Sequence, residues 1–354
     1  MTKDRHTDRH TDGHTDGHTD RRTAMRRLGA LAGGAALTLG ATTSSATART
    51  GKGEGEGKGK GKGKGNKAPH TYVLVHGTNS AGAFWQPYAT ELALRGHRVV
   101  ALDQPLHGAE AYYPPAYQTQ DLTALATQPT PLAKIGLDDF ERRVTETVRR
   151  AARHAANGKA ILVGHSLGGL SLSRVGNAVP ELLQHLCYMA AYCPSESMPT
   201  NEACMTSPES ADAITPADQV IGDPAELGVI RLNLRTQNSK HLATLKEMTC
   251  ANYPEAAFHR VLAGLQPDES TRPPAERAVG EAATWGTIPR TYLRFAKDRL
   301  VRPALQDRMI AEADALTPDN RFHVRNFPGA PHVGPLDPGP VTEALLDLGT
   351  RHAL

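Results

Sequence analysis

Long apolar runs are missing from this chain. Its most membrane-like stretch, Leu28 to about Ala41, is rich in Ala and Gly. It falls short of the ~20 residues a helix needs to cross a bilayer, which argues against a stable membrane anchor. Aromatic residues are scarce at 5%, although an apolar content of 39% still suffices for a core. Basic charge is scarce where it would matter. The whole 354-residue chain carries +3, but residues 68–354 hold 26 Lys and Arg against 30 Asp and Glu. A folded part of that sign argues against a nucleic-acid-binding surface, which would show a basic stripe. Cysteine is limited to Cys187, Cys193, Cys204 and Cys250, in no spacing that resembles a zinc site. Cys187 and Cys193, about 20 Å apart on an extended segment, cannot bridge each other. A single Cys204–Cys250 bridge or four free thiols remain.

The basic surplus sits in the first 67 residues. The repeat "RHTDRHTDGHTDGHTD" has no apolar face. It reads as a disordered leader, although its histidines could hold a metal weakly. Arg21 and Arg22 then precede the Leu28–Ala41 run, which ends at Ala46-Thr47-Ala48. A basic region, a short apolar region and a small-residue site make residues 1–48 a signal peptide, cut after Ala48. The paired arginines suggest transient handling by a bacterial twin-arginine export machinery and a secreted product. Initiation at Met25 would keep a signal but lose that pair. Residues 49–68 alternate Gly with charge and read as a flexible linker.

From residue 69 the pattern changes. "TYVLV" (71–75), "HRVVALD" (97–103), "AILV" (160–163), "LCYMAAY" (186–192), "RTYLRF" (290–295) and "RFHVRNF" (321–327) read as strands. Helical patterns fall between them, notably at 84–95 and 137–156. In the second of these helices Leu137, Phe140, Val144 and Val148 keep helical spacing. Strands alternating with helices predict a mostly parallel sheet with helices on both faces. Residues 109–135 read as a long loop. Residues 195–285 interrupt the alternation and read as an inserted cap of helices and loops.

The chemistry centres on Gly164-His165-Ser166-Leu167-Gly168, a G-x-S-x-G directly after a strand and before a helix. That context places a serine on a sharp turn, with flanking glycines leaving room for the crossing elements. A serine hydroxyl needs a base. His332, in the loop after the last strand, is the best placed of twelve histidines beyond the leader; His165 would point away from Ser166. Asp298, just past a strand, suits the orienting acid better than Asp307, which lies within the next helix. The order Ser166, Asp298, His332 matches the nucleophile–acid–histidine order of this kind of site. Oxyanion stabilisation asks for two backbone N–H groups. Leu167 would supply one, and Thr78, after His76-Gly77, the other, with Asn79 as second choice.

The stretches "VLVHGTNSAGAFWQPYATELALRGHRVVALDQPLHG", "AILVGHSLGGLSLSRV", "HLCYMAAYCPS", "GTIPRTYLRFAKDRLVRP" and "FPGAPHVGPLDP" together resemble the α/β-hydrolase superfamily. The similarity is to its branch of methylesterases, hydroxynitrile lyases and pyrethroid-type esterases. It covers roughly residues 70–350 and is weakest in the cap. It implies an α/β-hydrolase fold, the Ser166–Asp298–His332 triad and the Thr78 and Leu167 oxyanion positions, and supplies no substrate; the leading expectation is a serine hydrolase acting on a small-molecule carboxylic ester, a chemistry that needs no cofactor or metal. The hydroxynitrile lyases carry a lysine where Val333 stands and another residue at Gly77, so both positions favour hydrolysis. A lyase or cofactor-free haloperoxidase on the same triad, and a ligand-binding member without catalysis, are the alternatives.

Overall fold

The computed structural model describes residues 69–348. The expected signal peptide and linker lie outside them, as do residues 349–354. Six strands form one all-parallel sheet: β1 (Thr71–Val75), β2 (Arg98–Leu102), β3 (Ala160–His165), β4 (Leu183–Met189), β7 (Arg290–Phe295) and β8 (His323–Phe327). Their order is β2-β1-β3-β4-β7-β8. Among the described residues the helices of nine or more residues are α1 (Gln86–Leu94), α2 (Leu137–Ala152), α3 (Gly168–Ala178), α4 (Ser239–Cys250), α5 (Glu255–Ala263), α6 (Pro303–Leu316) and α7 (Gly339–Asp347).

The continuous apolar runs of the central strands follow from burial on both faces. Successive side chains alternate between two cores. Val73, Val75, Leu162, Leu186, Tyr188 and Tyr292 pack with Phe140 and Val144 of α2, Leu170 of α3 and Leu305 and Met309 of α6. Their neighbours Tyr72, Leu74, Ile161, Val163, Cys187 and Leu293 pack with Tyr88 and Leu92 of α1 and Val341 and Leu345 of α7. The predicted spacing of α2 is the buried face observed, and Asp138 and Asp139 open this helix while Arg149 and Arg150 close it.

After β1 the chain moves to one edge with β2, then returns to the other side of β1 with β3. The carboxyl ends of β1 and β3 therefore flank the switch point, where ligands bind in such sheets.

Three expectations change. The strand predicted at 186–192 runs from Leu183 to Met189. Ala190 breaks it with φ 42°, and the Tyr192 N–H then donates to the Ser166 carbonyl at 3.0 Å. The loop at 109–135 contains two short helices, Pro115–Thr119 and Leu122–Leu125. The inserted segment holds α4 and α5 but also an antiparallel ribbon, β5 (Val229–Arg231) with β6 (Asp268–Ser270). That ribbon is charged rather than apolar. Arg231 and Asp268 are buried and joined side-on, Nε and Nη2 of the guanidinium donating to the two carboxylate oxygens at 2.6 and 2.7 Å. Arg231 also donates to the carbonyls of Leu125 and Gln128, which fastens the ribbon to the 109–135 segment.

Candidate active site

Ser166 sits between the end of β3 and the start of α3 with φ 53°. For a residue with a Cβ this left-handed conformation is strained, and the surroundings must hold it. They do so through backbone. The Ser166 N–H donates to the Met189 carbonyl, and the Ser166 carbonyl accepts from Gly169 and Tyr192. At Gly168 a Cβ would lie 2.8 Å from the carbonyls of Val75 and His76. The close crossing of α3 over β1 therefore demands glycine there. At Gly77 a Cβ would lie 2.7 Å from the Ser166 Cβ. The loop after β1 thus runs directly against the serine.

His332 Nε2 lies 3.0 Å from Ser166 Oγ, and its Nδ1 lies 2.8 Å from Asp298 Oδ2. All three residues are buried. The other oxygen of Asp298 accepts the N–H groups of Leu300 and Val301 at 2.8 and 2.9 Å, which locks the carboxylate toward the imidazole. With Asp298 accepting from Nδ1–H, Nε2 is left as the acceptor for the serine proton. The structure brings together all three residues predicted for this arrangement. Asp307 lies on α6 and is spent on an exposed ion pair with Arg294.

His165 does not reach Ser166 Oγ. Its ring stacks on Phe84, and its Nε2–H donates to the His332 carbonyl at 2.8 Å. Burial, with His332 nearby, drives its titration well below the usual histidine range, so it is a neutral brace under the His332 loop.

The Leu167 and Thr78 N–H groups donate to no group among the described residues. Asn79, also left-handed at φ 54°, has its N–H taken by Glu269 Oε2 at 2.7 Å. Of the two residues weighed for this position, Thr78 therefore keeps the available donor.

Above His332, Val333 and Leu300 join an apolar cluster with Leu232, Leu234, Leu245, Met248 and Phe258 of the inserted segment. The Val333 N–H donates to the Thr249 carbonyl, and Tyr253 Oη donates to the Gly334 carbonyl. Tyr117, by contrast, is buried in its own small cluster with Ala116 and Leu125.

The four cysteines are free and buried, so no Cys204–Cys250 bridge forms. Cys204 belongs to the main core and Cys250 to the apolar cluster of the inserted segment. Burial pushes the Cys193 and Cys204 thiols up to about 12, so neither offers a reactive thiolate.

Sequence reasoning missed a buried polar group against the loop after β1. Glu269 of β6 meets His107 at 3.2 Å, and the His107 ring lies 5.1 Å from that of His76. Its only local signal is the adjacent acidic pair Asp268-Glu269, which reads as solvated surface.

Comparison with known proteins agrees with this architecture. The chain is 25% identical over 263 residues to a pyrethroid hydrolase of Sphingobium wenxiniae, covering 68% of this chain and 75% of that one. It is 30% identical over 128 residues to methyl jasmonate esterase 1 of Vitis vinifera, a match spanning 36% of this chain and only 41% of the plant enzyme. The crystal structure of a pyrethroid hydrolase from Sphingobium faniae superposes with a TM-score of 0.58 at 23% identity, covering 81% of this chain and 99% of that one. Residues 72–344 match the model of the alpha/beta hydrolase family, and the chain belongs to that family.

Proposed function

We propose that the protein is a serine esterase that cleaves a carboxylic ester through an acyl-enzyme. The carrying observation is the unbroken Ser166–His332–Asp298 chain, at 3.0 and 2.8 Å, on a strained turn at the sheet's switch point. In this reading Ser166 Oγ attacks the ester carbonyl as His332 Nε2 takes its proton. Asp298 holds the imidazole in the productive tautomer and stabilises its positive charge. The N–H groups of Leu167 and Thr78 meet the developing oxyanion. His332 then protonates the departing alcohol. Water, activated by the same imidazole, releases the acid and restores Ser166.

The apolar cluster bordering Val333 and Leu300 supports an apolar ester. The esterase names of the related proteins support the same reaction class. Position 333 is Val rather than Lys, so the residue directly after His332 supplies no cation to steady a cyanide leaving group. The twin-arginine-like leader supports export. A reporter fused to residues 1–50 should be exported in a normal host and retained when the twin-arginine pathway is deleted; unchanged export refutes that route.

The activity test uses short-chain nitrophenyl esters. Ser166→Ala should lower kcat/KM by at least about a thousandfold, the scale of triad removal. A variant that kept comparable turnover would refute the mechanism.

A further inference from the structure

Thr78 lies between two peptide groups, and each is held by a different buried side chain. The Gly77 carbonyl accepts from His76 Nδ1–H at 2.8 Å. The Gln104 N–H donates to His76 Nε2 at 3.0 Å, which assigns the ring as neutral with its proton on Nδ1. A trans peptide is planar, so pinning the Gly77 carbonyl aims the Thr78 N–H the opposite way. The next peptide is pinned at its N–H, which Asn79 donates to Glu269 Oε2 at 2.7 Å. Two more bonds tie the same residue down: Asn79 Nδ2 to the Gln266 carbonyl at 3.0 Å, and the Gln266 N–H to the Asn79 carbonyl at 2.8 Å.

Glu269 is a carboxylate with almost no solvent exposure, and such a group needs a counter-charge. His107, itself fully buried, supplies one. Its Nδ1 lies 2.9 Å from the Pro105 carbonyl and its Nε2 3.2 Å from Glu269 Oε2. Both neighbours are acceptors, so both ring nitrogens carry protons and the ring is an imidazolium. Burial opposes charge on both partners, yet their mutual attraction outweighs it. The Glu269 carboxyl titrates below its ordinary range and His107 above its own. Strand alternation explains how the ribbon does this: Asp268 faces Arg231, and the next residue, Glu269, faces the loop after β1.

We propose that Glu269, kept ionised by His107, is a positioning residue that sets the Thr78 N–H for oxyanion binding, so that the inserted segment completes the catalytic site from behind. The inference rests on the esterase reading. It assigns Glu269 a role that appears in the transition state and not in substrate affinity.

The test compares the full mature chain with Glu269→Gln, which keeps the volume and an acceptor but removes the charge. The expected result is a kcat lower by about tenfold to a hundredfold with KM within about threefold, somewhat less than the loss of a whole oxyanion donor. Affinity for a trifluoromethyl ketone, which forms a tetrahedral adduct on the serine, should fall in parallel with kcat. Unchanged kcat, or a raised KM with kcat intact, overturns the proposal. A measurement on the parent protein removes dependence on the variant's folding. Nitrogen NMR of labelled histidine at pH 6.5 should show both ring nitrogens of His107 protonated, the signals being assigned by their loss in His107→Gln; a bare ring nitrogen there overturns the clamp. The two readings fail differently. Turnover abolished by Ser166→Ala but untouched by Glu269→Gln removes the positioning role alone. A Ser166 that a fluorophosphonate probe cannot label removes the esterase reading, and the His107 signals still decide the clamp.

Discussion

The turn that carries Ser166 and the ribbon that carries Glu269 both meet the loop after β1, at Gly77 and at Asn79, and are built from opposite materials. The turn uses small residues and backbone. Its strain at φ 53° is held by bonds from Met189, Gly169 and Tyr192, with Gly168 and Gly77 allowing main chains to touch. The ribbon uses long charged side chains in full burial, Arg231 against Asp268 and His107 against Glu269. Close packing around glycine tolerates no added atom. Buried ion pairs tolerate no missing partner. The comparison teaches that the nucleophile is fixed by shape and the loop beside it by charge, and each part should break accordingly.

The largest effect should come from the acid of the triad. Asp298→Asn should lower kcat by about 10³–10⁴-fold, because the amide no longer selects the His332 tautomer that accepts from serine. Asp307→Asn, its exposed neighbour, should change kcat little and stability by about 0–1 kcal/mol. Steady-state kinetics on the two variants checks the assignment; equal losses would mean the acid was misassigned.

Next comes the ribbon. Arg231→Met leaves the Asp268 carboxylate buried and alone and should cost about 3–5 kcal/mol in urea unfolding. Pairing it with Asp268→Leu should recover much of that. If the single variant is as stable as the parent, charge does not hold the ribbon.

The smallest effect sharpens the comparison through pH. His76 is neutral in the fold and is pushed down to about 4, first by burial and then by the charge of His107. The unfolded chain would protonate it near 6.5. Between pH 6.5 and 4 the unfolded state therefore binds more protons, and stability falls with falling pH by up to about 1.4 kcal/mol per unit from this residue. His165, lowered further, adds in the same direction. Urea midpoints from pH 7 to 4 should show the slope, and it should be shallower in His76→Ala. A slope that is unchanged would mean His76 is not held neutral.

Legibility in the sequence follows the same division. Strands β1 and β7 were readable to the residue: two-sided burial writes the run Tyr-Val-Leu-Val into β1, and Tyr292, Leu293 and Phe295 carry the apolar signal in β7. The three residues of the triad were readable because each ends or follows a strand in a fixed chain order. The end of β4 was not. Met189 is followed by Ala-Ala-Tyr, which is apolar enough to continue a strand, and only the bond from Tyr192 to Ser166 shows why it stops. The ribbon was illegible for a stronger reason. Arg231, Asp268 and Glu269 contradict an apolar strand pattern; the first two lie 37 residues apart, and Glu269 lies 162 and 190 residues from its partners His107 and Asn79. Nothing local marks a carboxylate as buried when its counter-charge lies that far along the chain.

The most direct measurement of the central claim is capture of the covalent intermediate. The mature protein should be mixed with a nitrophenyl ester of a short acid, quenched in acid within the first turnovers, digested and mapped by mass spectrometry. The account predicts one added acyl group on Ser166, formed at the rate of the initial nitrophenol release and absent from Ser166→Ala. Turnover with Ser166 unmodified, or acyl carried by another residue, would contradict it.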